Sequence, residues 1–285
     1  MKNTDRPFSR RAVPAVLGLF LLAASCTTIA PVTPTAPEAI APRITLEEAL
    51  SLRDMLDGVD TLRGTVRVTM DTGDGASPRS ITGYLAIRTP DAVRFTYIGP
   101  FGVVLFEAVA SGDVLTLYLP QQMTAYTGTA DSREGETGDI DASDMPFSDL
   151  FGLFTDDGGD LVFFLEHRER ETILYGISPA GDESRTSWDI AEKVIIDRET
   201  MRPVTRERFS GGVCVSRTTY EDFQEVEGVL IPATIVVADL VRGQTMSVTL
   251  TGTAVNEPLD DEVFETTPEG PWTIMPLDQF APPTF

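Results

Sequence analysis

The sequence predicts a mainly β protein: a curved antiparallel half-barrel of about eleven strands, covered by one or two short helices. Three features of the 285-residue chain support this fold class. Apolar and polar residues alternate over most of the chain after residue 60, as in strands with one buried face. The turns between these segments are short and rich in Gly, Pro and Asp, which favours an antiparallel meander. No region alternates strands with helices, the pattern that a parallel sheet requires.

The first predicted element is an amphipathic helix that begins at the domain start. Thr45 and Glu48 have the spacing of a capping box, which satisfies free N–H groups at a helix start. Gly58 is expected to end the helix, because glycine accepts the left-handed conformation common after a last turn. The apolar positions recur at helical spacing and are Leu46, Ala49, Leu50, Leu52, Met55 and Leu56. This apolar face predicts that the helix covers part of the sheet.

The strand pattern is clearest in residues 62–70, 81–87 and 93–97. One face of these three strands carries Leu62, Val66, Val68, Leu85, Ile87, Val93, Phe95 and Tyr97. Further strand patterns occupy residues 103–110, 114–119, 161–165, 173–177, 191–196, 204–209, 213–220, 233–238 and 246–254. An acidic stretch at 130–144 interrupts the meander. The apolar residues 145–154, which include Phe147 and Phe151, are predicted to form a short helix or loop that covers the open face.

The charge balance excludes some classes of partner. Asp and Glu total 44 against 22 Lys and Arg, which gives a formal net charge of −22. A chain of this charge repels phosphate backbones, so nucleic acid is not expected as a partner. Binding to anionic membrane surfaces by electrostatic attraction is disfavoured for the same reason.

The sequence offers no residue set for catalysis, for a metal or for a cofactor. It lacks the motifs of serine hydrolases, zinc proteases and nucleotide-binding loops. His167 lies among charged residues without a nucleophile nearby in sequence, which is typical of a solvated surface histidine. Cys214 alternates with valines and is expected to be a small buried residue. We therefore expect the protein not to be an enzyme and to need no cofactor.

The N-terminus has the form of an export signal. Four basic residues precede an apolar run at 12–24, which is too short to span a bilayer but suits a signal peptide. Ala23-Ala24-Ser25-Cys26 resembles a bacterial lipobox, whose cysteine receives acyl chains after cleavage before it. The alternatives are an ordinary secretory peptide cleaved near Ser25, and export by the twin-arginine route suggested by Arg10-Arg11. Removal of residues 1–25 leaves a net charge of −25.

Residues 26–43 are predicted to be a lipidated cysteine followed by a tether. Prolines stand at 31, 34, 37 and 42 of this segment. Such proline density favours polyproline II, which rises ~3.1 Å per residue and lets sixteen residues span at most ~50 Å.

Several short motifs occur in an order that resembles LolA/LolB-like outer-membrane lipoproteins. The first half carries Leu62-Arg63-Gly64, Gly83, Thr89-Pro90-Asp91 and Gly99-Pro100-Phe101-Gly102. The second half carries Gly228-Val229-Leu230-Ile231-Pro232 and, near its end, the run from Asn256 to Phe264. The resemblance covers residues 44–265, taken as the half-barrel domain, and leaves 266–285 as a C-terminal tail. Acidic insertions near 130–144 and 179–188 depart from the family pattern.

The resemblance implies a lipid-anchored protein of the outer membrane that faces the periplasm. The family's half-barrel encloses an apolar cavity for acyl chains, so its lining would include the eight residues named for the first strands. Leu46, Leu50, Phe147 and Phe151 would cover it. The same alternation also fits a filled core, in which case the protein is a structural or interaction lipoprotein without lipid cargo.

Phe101 is the remaining site residue that the resemblance suggests. The matching turn of LolB projects an apolar side chain into the membrane, so Phe101 would be a tip that touches a membrane or a partner such as another lipoprotein. The alternative is that Phe101 folds back and plugs one end of the barrel.

Overall fold

The computed structural model describes residues 43–129 except Met55 and Asp57, and residues 161–179, 188–267 and 270–280. These residues form one helix, α1, and fourteen strands of a single open sheet. The strands are β1 (Thr61–Asp71), β2 (Arg79–Arg88), β3 (Ala92–Ile98), β4 (Val104–Ser111), β5 (Val114–Leu119), β6 (Thr124–Thr129), β7 (Val162–His167), β8 (Glu171–Pro179), β9 (Trp188–Asp197), β10 (Arg202–Ser210), β11 (Val213–Val226), β12 (Val229–Asp239), β13 (Gln244–Val255) and β14 (Thr273–Pro276).

The strand order confirms the predicted open antiparallel half-barrel. It runs β14-β6-β5-β4-β3-β2-β1-β13-β12-β11-β10-β9-β8-β7, and the β14–β6 pair alone is parallel. The predicted number of about eleven strands is too low, because β6 and β14 lie outside every segment with clear alternation. β1 is central: it pairs with β2 on one side and with β13, from the far end of the chain, on the other.

Helix α1 (Leu46–Arg53) has the predicted capping box but ends earlier than predicted. The Thr45 hydroxyl accepts the Glu48 backbone N–H, and the Glu48 carboxylate accepts the Thr45 backbone N–H. The helix ends before Gly58 because Asp54 leaves the helical conformation and its Oδ1 accepts the N–H of Leu56. The side chain of Asp54 therefore takes the place of the next helical hydrogen bond.

The main hydrophobic core lies on one face of the sheet, here called the inner face. Strand register places Leu62 opposite both Ile87 and Val255, and Leu85 opposite Phe95. The same core includes Phe106, Ala108, Leu115, Leu117, Leu119, Ile231, Ile235, Met246, Val248 and Leu250. Side chains from both halves of the chain therefore form one core around β1.

The described residues after 265, which are 266–267 and 270–280, pack against the sheet. Before β14 the chain crosses the outer face, where Thr116 and Tyr118 donate hydrogen bonds to the carbonyls of Thr266 and Glu265. β14 then extends the sheet beside β6, and Phe280 returns to the inner face with its ring 5.0 Å from that of Tyr126. The described fold therefore continues beyond residue 265, where the half-barrel domain was expected to end, to Phe280.

Candidate functional site

The inner face gathers the eight side chains that the sequence predicts as a lining. Seven of them are 0–1% exposed and Tyr97 is half-buried, and all eight belong to the main core. The seven buried residues are Leu62, Val66, Val68, Leu85, Ile87, Val93 and Phe95. The structure thus brings the predicted residues together on one apolar surface.

This part of the inner face is packed in the structure. A side chain beside a space that admits a water molecule keeps accessible surface, and these seven side chains keep almost none. Leu56, Val59, Leu277 and Phe280 are among the residues that pack against them. An acyl chain could therefore lie here only after some of the covering side chains had moved.

Helix α1 lies on the inner face but over a different part of it than predicted. Its Ala49 is fully buried, and Leu50 packs with a second cluster that includes Leu174 and Val194. Leu46 points away from this cluster and is 40% exposed. The expectation that Leu46 and Leu50 cover the first three strands is therefore wrong, because α1 contacts β7–β10. Phe147 and Phe151 lie outside the described residues.

Strand register shows that the two clusters share one face. Directly opposite residues of neighbouring antiparallel strands lie on the same side of a sheet. Successive opposite partners from β8 to β1 are Leu174, Val194, Arg206, Thr218, Val237, Met246 and Met70. The inner face therefore runs without interruption from under α1 to the main core.

A buried charged group separates the two apolar clusters. Oε2 of Glu192 lies 2.9 Å from Nε of Arg53, and its Oε1 lies 2.5 Å from Nε of Arg206. All three side chains are largely buried, and the group joins α1 to β9 and β10. Burial raises the pKa of the neighbouring Tyr220 phenol, and the charge of Arg206 offsets this only in part. The sequence analysis missed this group, since alternating charges in a strand ordinarily indicate a solvated face.

The turn that contains Phe101 projects its side chain into solvent. Phe101 is 104% exposed and has a φ of 64°, a left-handed conformation that costs a non-glycine residue ~1–2 kcal/mol. A Cβ at Gly99 beside it would lie 2.4 Å from a methyl carbon of Leu105, so a larger residue there would require the Leu105 side chain to shift. The alternative that Phe101 plugs one end of the barrel does not hold in this structure.

The residues considered for catalysis do not form an active-site arrangement. Nδ1 of His167 lies 3.0 Å from the Thr172 hydroxyl, and no hydrogen bond joins the ring to a nucleophile and an orienting carboxylate among the described residues. Burial raises the pKa of the half-buried Cys214 thiol, which disfavours the reactive thiolate. In the part of the chain that the structure describes, no three His, Cys, Asp or Glu side chains are grouped to hold a metal ion.

We expect Val66→Phe to lower the free energy of unfolding by about 1–3 kcal/mol, because it inserts atoms into a packed region. Val66 is fully buried and belongs to the main core. Chemical denaturation of the variant and the wild type measures the difference. Val114→Phe is a suitable control, since Val114 is exposed at the start of β5. A Val66→Phe protein as stable as the wild type would show that the inner face has unfilled space.

Comparisons with known proteins show the fold. A LolA superfamily protein from Nitrosomonas europaea superposes with a TM-score of 0.54 at 14% identity, over 78% of this chain and 98% of that one. A DUF1329 family protein from Desulfovibrio piger superposes with a TM-score of 0.54 at 15% identity, over 76% of this chain and 95% of that one. A domain from Vibrio parahaemolyticus named as an outer membrane lipoprotein-sorting protein superposes with a TM-score of 0.53 at 14% identity. The match covers 76% of this chain and 94% of that one. No protein-family model and no curated protein matches the sequence.

The chain therefore has a LolA/LolB-like fold, as its motifs predicted. None of the three superposed proteins bears the name of an enzyme, and two of the names refer to lipoprotein sorting or to LolA. The described strands therefore form an open half-barrel with an apolar cluster on its inner face. Among the described residues, no helix has the length and apolar character needed to cross a membrane.

Proposed function

We propose that the protein is a lipoprotein of the outer membrane, facing the periplasm, that handles lipids or other lipoproteins by binding acyl chains at its inner face. The observation that supports this most directly is the large apolar cluster on the inner face of an open LolA/LolB-like sheet. The names of two superposed proteins, which refer to LolA and to lipoprotein sorting, agree with it. Binding of this kind involves no covalent chemistry and requires no catalytic residues.

Hydrophobic transfer supplies the energy for such binding. Each methylene removed from water contributes ~0.8 kcal/mol, so ten buried methylenes give about 8 kcal/mol before any cost is subtracted. The cost is the displacement of side chains that now pack on the inner face. Phe280 is one candidate, since it lies on the inner face beyond the last strand and not within the sheet.

A fatty acid that carries a photoreactive diazirine tests the proposed site. After irradiation of the purified protein, we expect labelled peptides from β1 and β13, whose inner-face residues include Val66 and Val248. Val66→Phe should reduce the labelling, whereas Tyr84→Phe should leave it unchanged because Tyr84 is exposed on β2. Labelling confined to outer-face peptides would contradict the proposed site.

The second candidate function is that of a structural or interaction lipoprotein with a filled core. The near-complete burial of the inner-face side chains favours it. On this reading the diazirine probe would give no specific labelling of β1 or β13. The fold would then serve to present surfaces, and the inner face would only stabilise it.

Membrane attachment is proposed to come from the N-terminus. Residues 1–25 would be removed as a signal peptide, Cys26 would carry the acyl chains, and residues 27–43 would connect them to the domain. Thr27 after the cysteine resembles the pattern of lipoproteins sorted to the outer membrane.

We propose that Phe101 is a tip that touches a membrane or a partner. An exposed aromatic ring on a turn with left-handed backbone is unfavourable for the isolated protein in two ways, and such features concentrate at functional sites. Phe101→Glu should leave the melting temperature nearly unchanged, since the side chain is in solvent. The variant should fail to complement a deletion strain.

The matched control is Tyr84→Glu, which alters another exposed aromatic residue in the middle of β2. This control should complement. A stable Phe101→Glu protein that complements as well as the wild type would show that Phe101 has no functional role.

A further inference from the structure

The two ends of the sheet differ in composition. Because neighbouring strands are antiparallel, consecutive turns fall at alternate ends of the sheet. We call one set the turn rim; its described turns are residues 72–78, 99–103, 120–123, 211–212 and 240–243, and residues 180–187, which join β8 to β9 at the same end, lie outside the described residues. The turns at the opposite end are residues 89–91, 112–113, 168–170, 198–201 and 227–228.

Large apolar side chains are exposed in the turn rim and in none of the five opposite turns. The rim turns expose Phe101, Val103, Met123, Leu240 and Val241. Strand residues next to the rim add Val162, Trp188 and Val213, whereas those next to the opposite turns add Val114 and Leu230, which are less exposed at 38% and 37%. Val241 is 73% exposed and Trp188 is 51% exposed, so these side chains are not edges of the core. The rim therefore exposes apolar side chains in the β3–β4, β5–β6 and β12–β13 turns and at the first residues of β7, β9 and β11.

Charged residues are few in the rim turns and frequent in the turns at the opposite end. The five rim turns contain two charged residues, Asp74 and Arg242, whose charges cancel. The five opposite turns contain eight charged residues: Asp91, Asp113, Arg168, Glu169, Arg170, Arg198, Glu199 and Glu227. Three of these rim turns contain no charged residue and the two charges in the others cancel, which is a distinct composition in a chain with a net charge of −22.

We propose that the turn rim docks on a lipid bilayer, with several turns inserted at the level of the headgroups. The apolar side chains come from separate turns along a curved sheet edge and not from one compact patch. A fluid lipid surface accepts such an arrangement without shape complementarity, which a protein partner would require. The net charge of −22 of the chain favours zwitterionic over anionic lipid. The proposal stands whether or not the inner face binds acyl chains.

Chain lengths are compatible with this orientation. A strand of eleven residues such as β1 is about 36 Å long. The sixteen residues before the domain can extend to ~50 Å, so an N-terminal membrane anchor leaves enough chain for either end of the sheet to face the bilayer. The length of the tether therefore does not determine which end of the sheet faces the bilayer. The different composition of the two ends determines it.

Tryptophan quenching by brominated lipid tests the orientation. The chain has two tryptophans, and Trp272 packs against Tyr118 on the outer face, with ring centroids 5.5 Å apart. The full chain carrying Trp272→Phe therefore reports on Trp188 alone. Reconstituted in vesicles of brominated phosphatidylcholine, it should show a loss of emission and a blue shift relative to ordinary phosphatidylcholine.

The control places the single tryptophan at the other end of the sheet. Leu230 is 37% exposed near the opposite end, so the full chain carrying Trp188→Phe, Trp272→Phe and Leu230→Trp should show no loss. Adding Phe101→Glu and Val241→Glu to the Trp188 reporter should abolish its quenching without altering its circular dichroism spectrum. Equal quenching at both positions, or none at Trp188, would overturn the proposal.

Discussion

Glu192→Ala is expected to lower the free energy of unfolding by about 3–5 kcal/mol, the range for removing one partner from a buried ion group. Arg53 and Arg206 would be left as two like charges, both largely buried, with their shared carboxylate gone. The charged link from the end of α1 to the sheet would also be lost, because Arg53 is the last residue of the helix. Urea denaturation followed by circular dichroism gives the difference in free energy.

Two further variants separate the ion group from a general effect of charge removal. Glu166→Ala removes an exposed carboxylate that pairs with Arg168, and it should leave the melting temperature nearly unchanged. Replacing Arg53 and Arg206 by Met together with Glu192→Leu should restore much of the stability, since well-packed apolar residues often substitute for buried ion groups. A stable Glu192→Ala protein would mean that both guanidinium groups reach water.

Cys26→Ala is expected to remove the protein from the outer-membrane fraction. One acyl chain holds a protein only weakly at a membrane, whereas two or more hold it firmly at ~0.8 kcal/mol per buried methylene. The resemblance to lipoproteins implies three chains on this cysteine, enough to retain a domain of net charge −25. Fractionation of membranes, with immunodetection of the protein, gives the distribution. Globomycin should cause the unprocessed wild-type form to accumulate.

The second cysteine of the chain is the matched control. Cys214 lies in β11 and is half-buried, so Cys214→Ala should leave the membrane distribution unchanged. If Cys26→Ala remained in the outer-membrane fraction to the same extent as the wild type, attachment through this residue would be excluded.

The strands with a strict alternation could be predicted from the sequence, and the strands without it could not. In β1 and β2 every second residue is apolar or glycine, so one buried face is evident. In β6 the alternation is masked by threonines and a glycine, and β14 has only four residues, ends in proline and pairs in parallel. β6 and β14 pair with each other although they lie far apart in sequence. This pairing stabilises both strands and cannot be predicted from the local sequence pattern.

The position of α1 and the buried ion group also depend on long-range contacts. The capping box of Thr45 and Glu48 identifies the helix but not the strands on which it packs. Glu192 alternates with apolar residues in β9, and only the arrival of Arg53 from α1 and Arg206 from β10 makes its burial possible. Phe101 could be predicted as a turn residue, whereas its full exposure follows from the length of the β3–β4 connection.

The central claim is that the inner face receives acyl chains, and the most direct test is mass spectrometry of lipids extracted from the untagged full-length protein purified under mild conditions. We predict non-covalently bound lipid with acyl chains in the wild type and a reduced amount in Val66→Phe, whose bulk occupies the inner face. Phe101→Glu, altered only in an exposed turn, should retain the wild-type amount. Absence of co-purified lipid from the wild type, together with no uptake of added fatty acid, would contradict the claim.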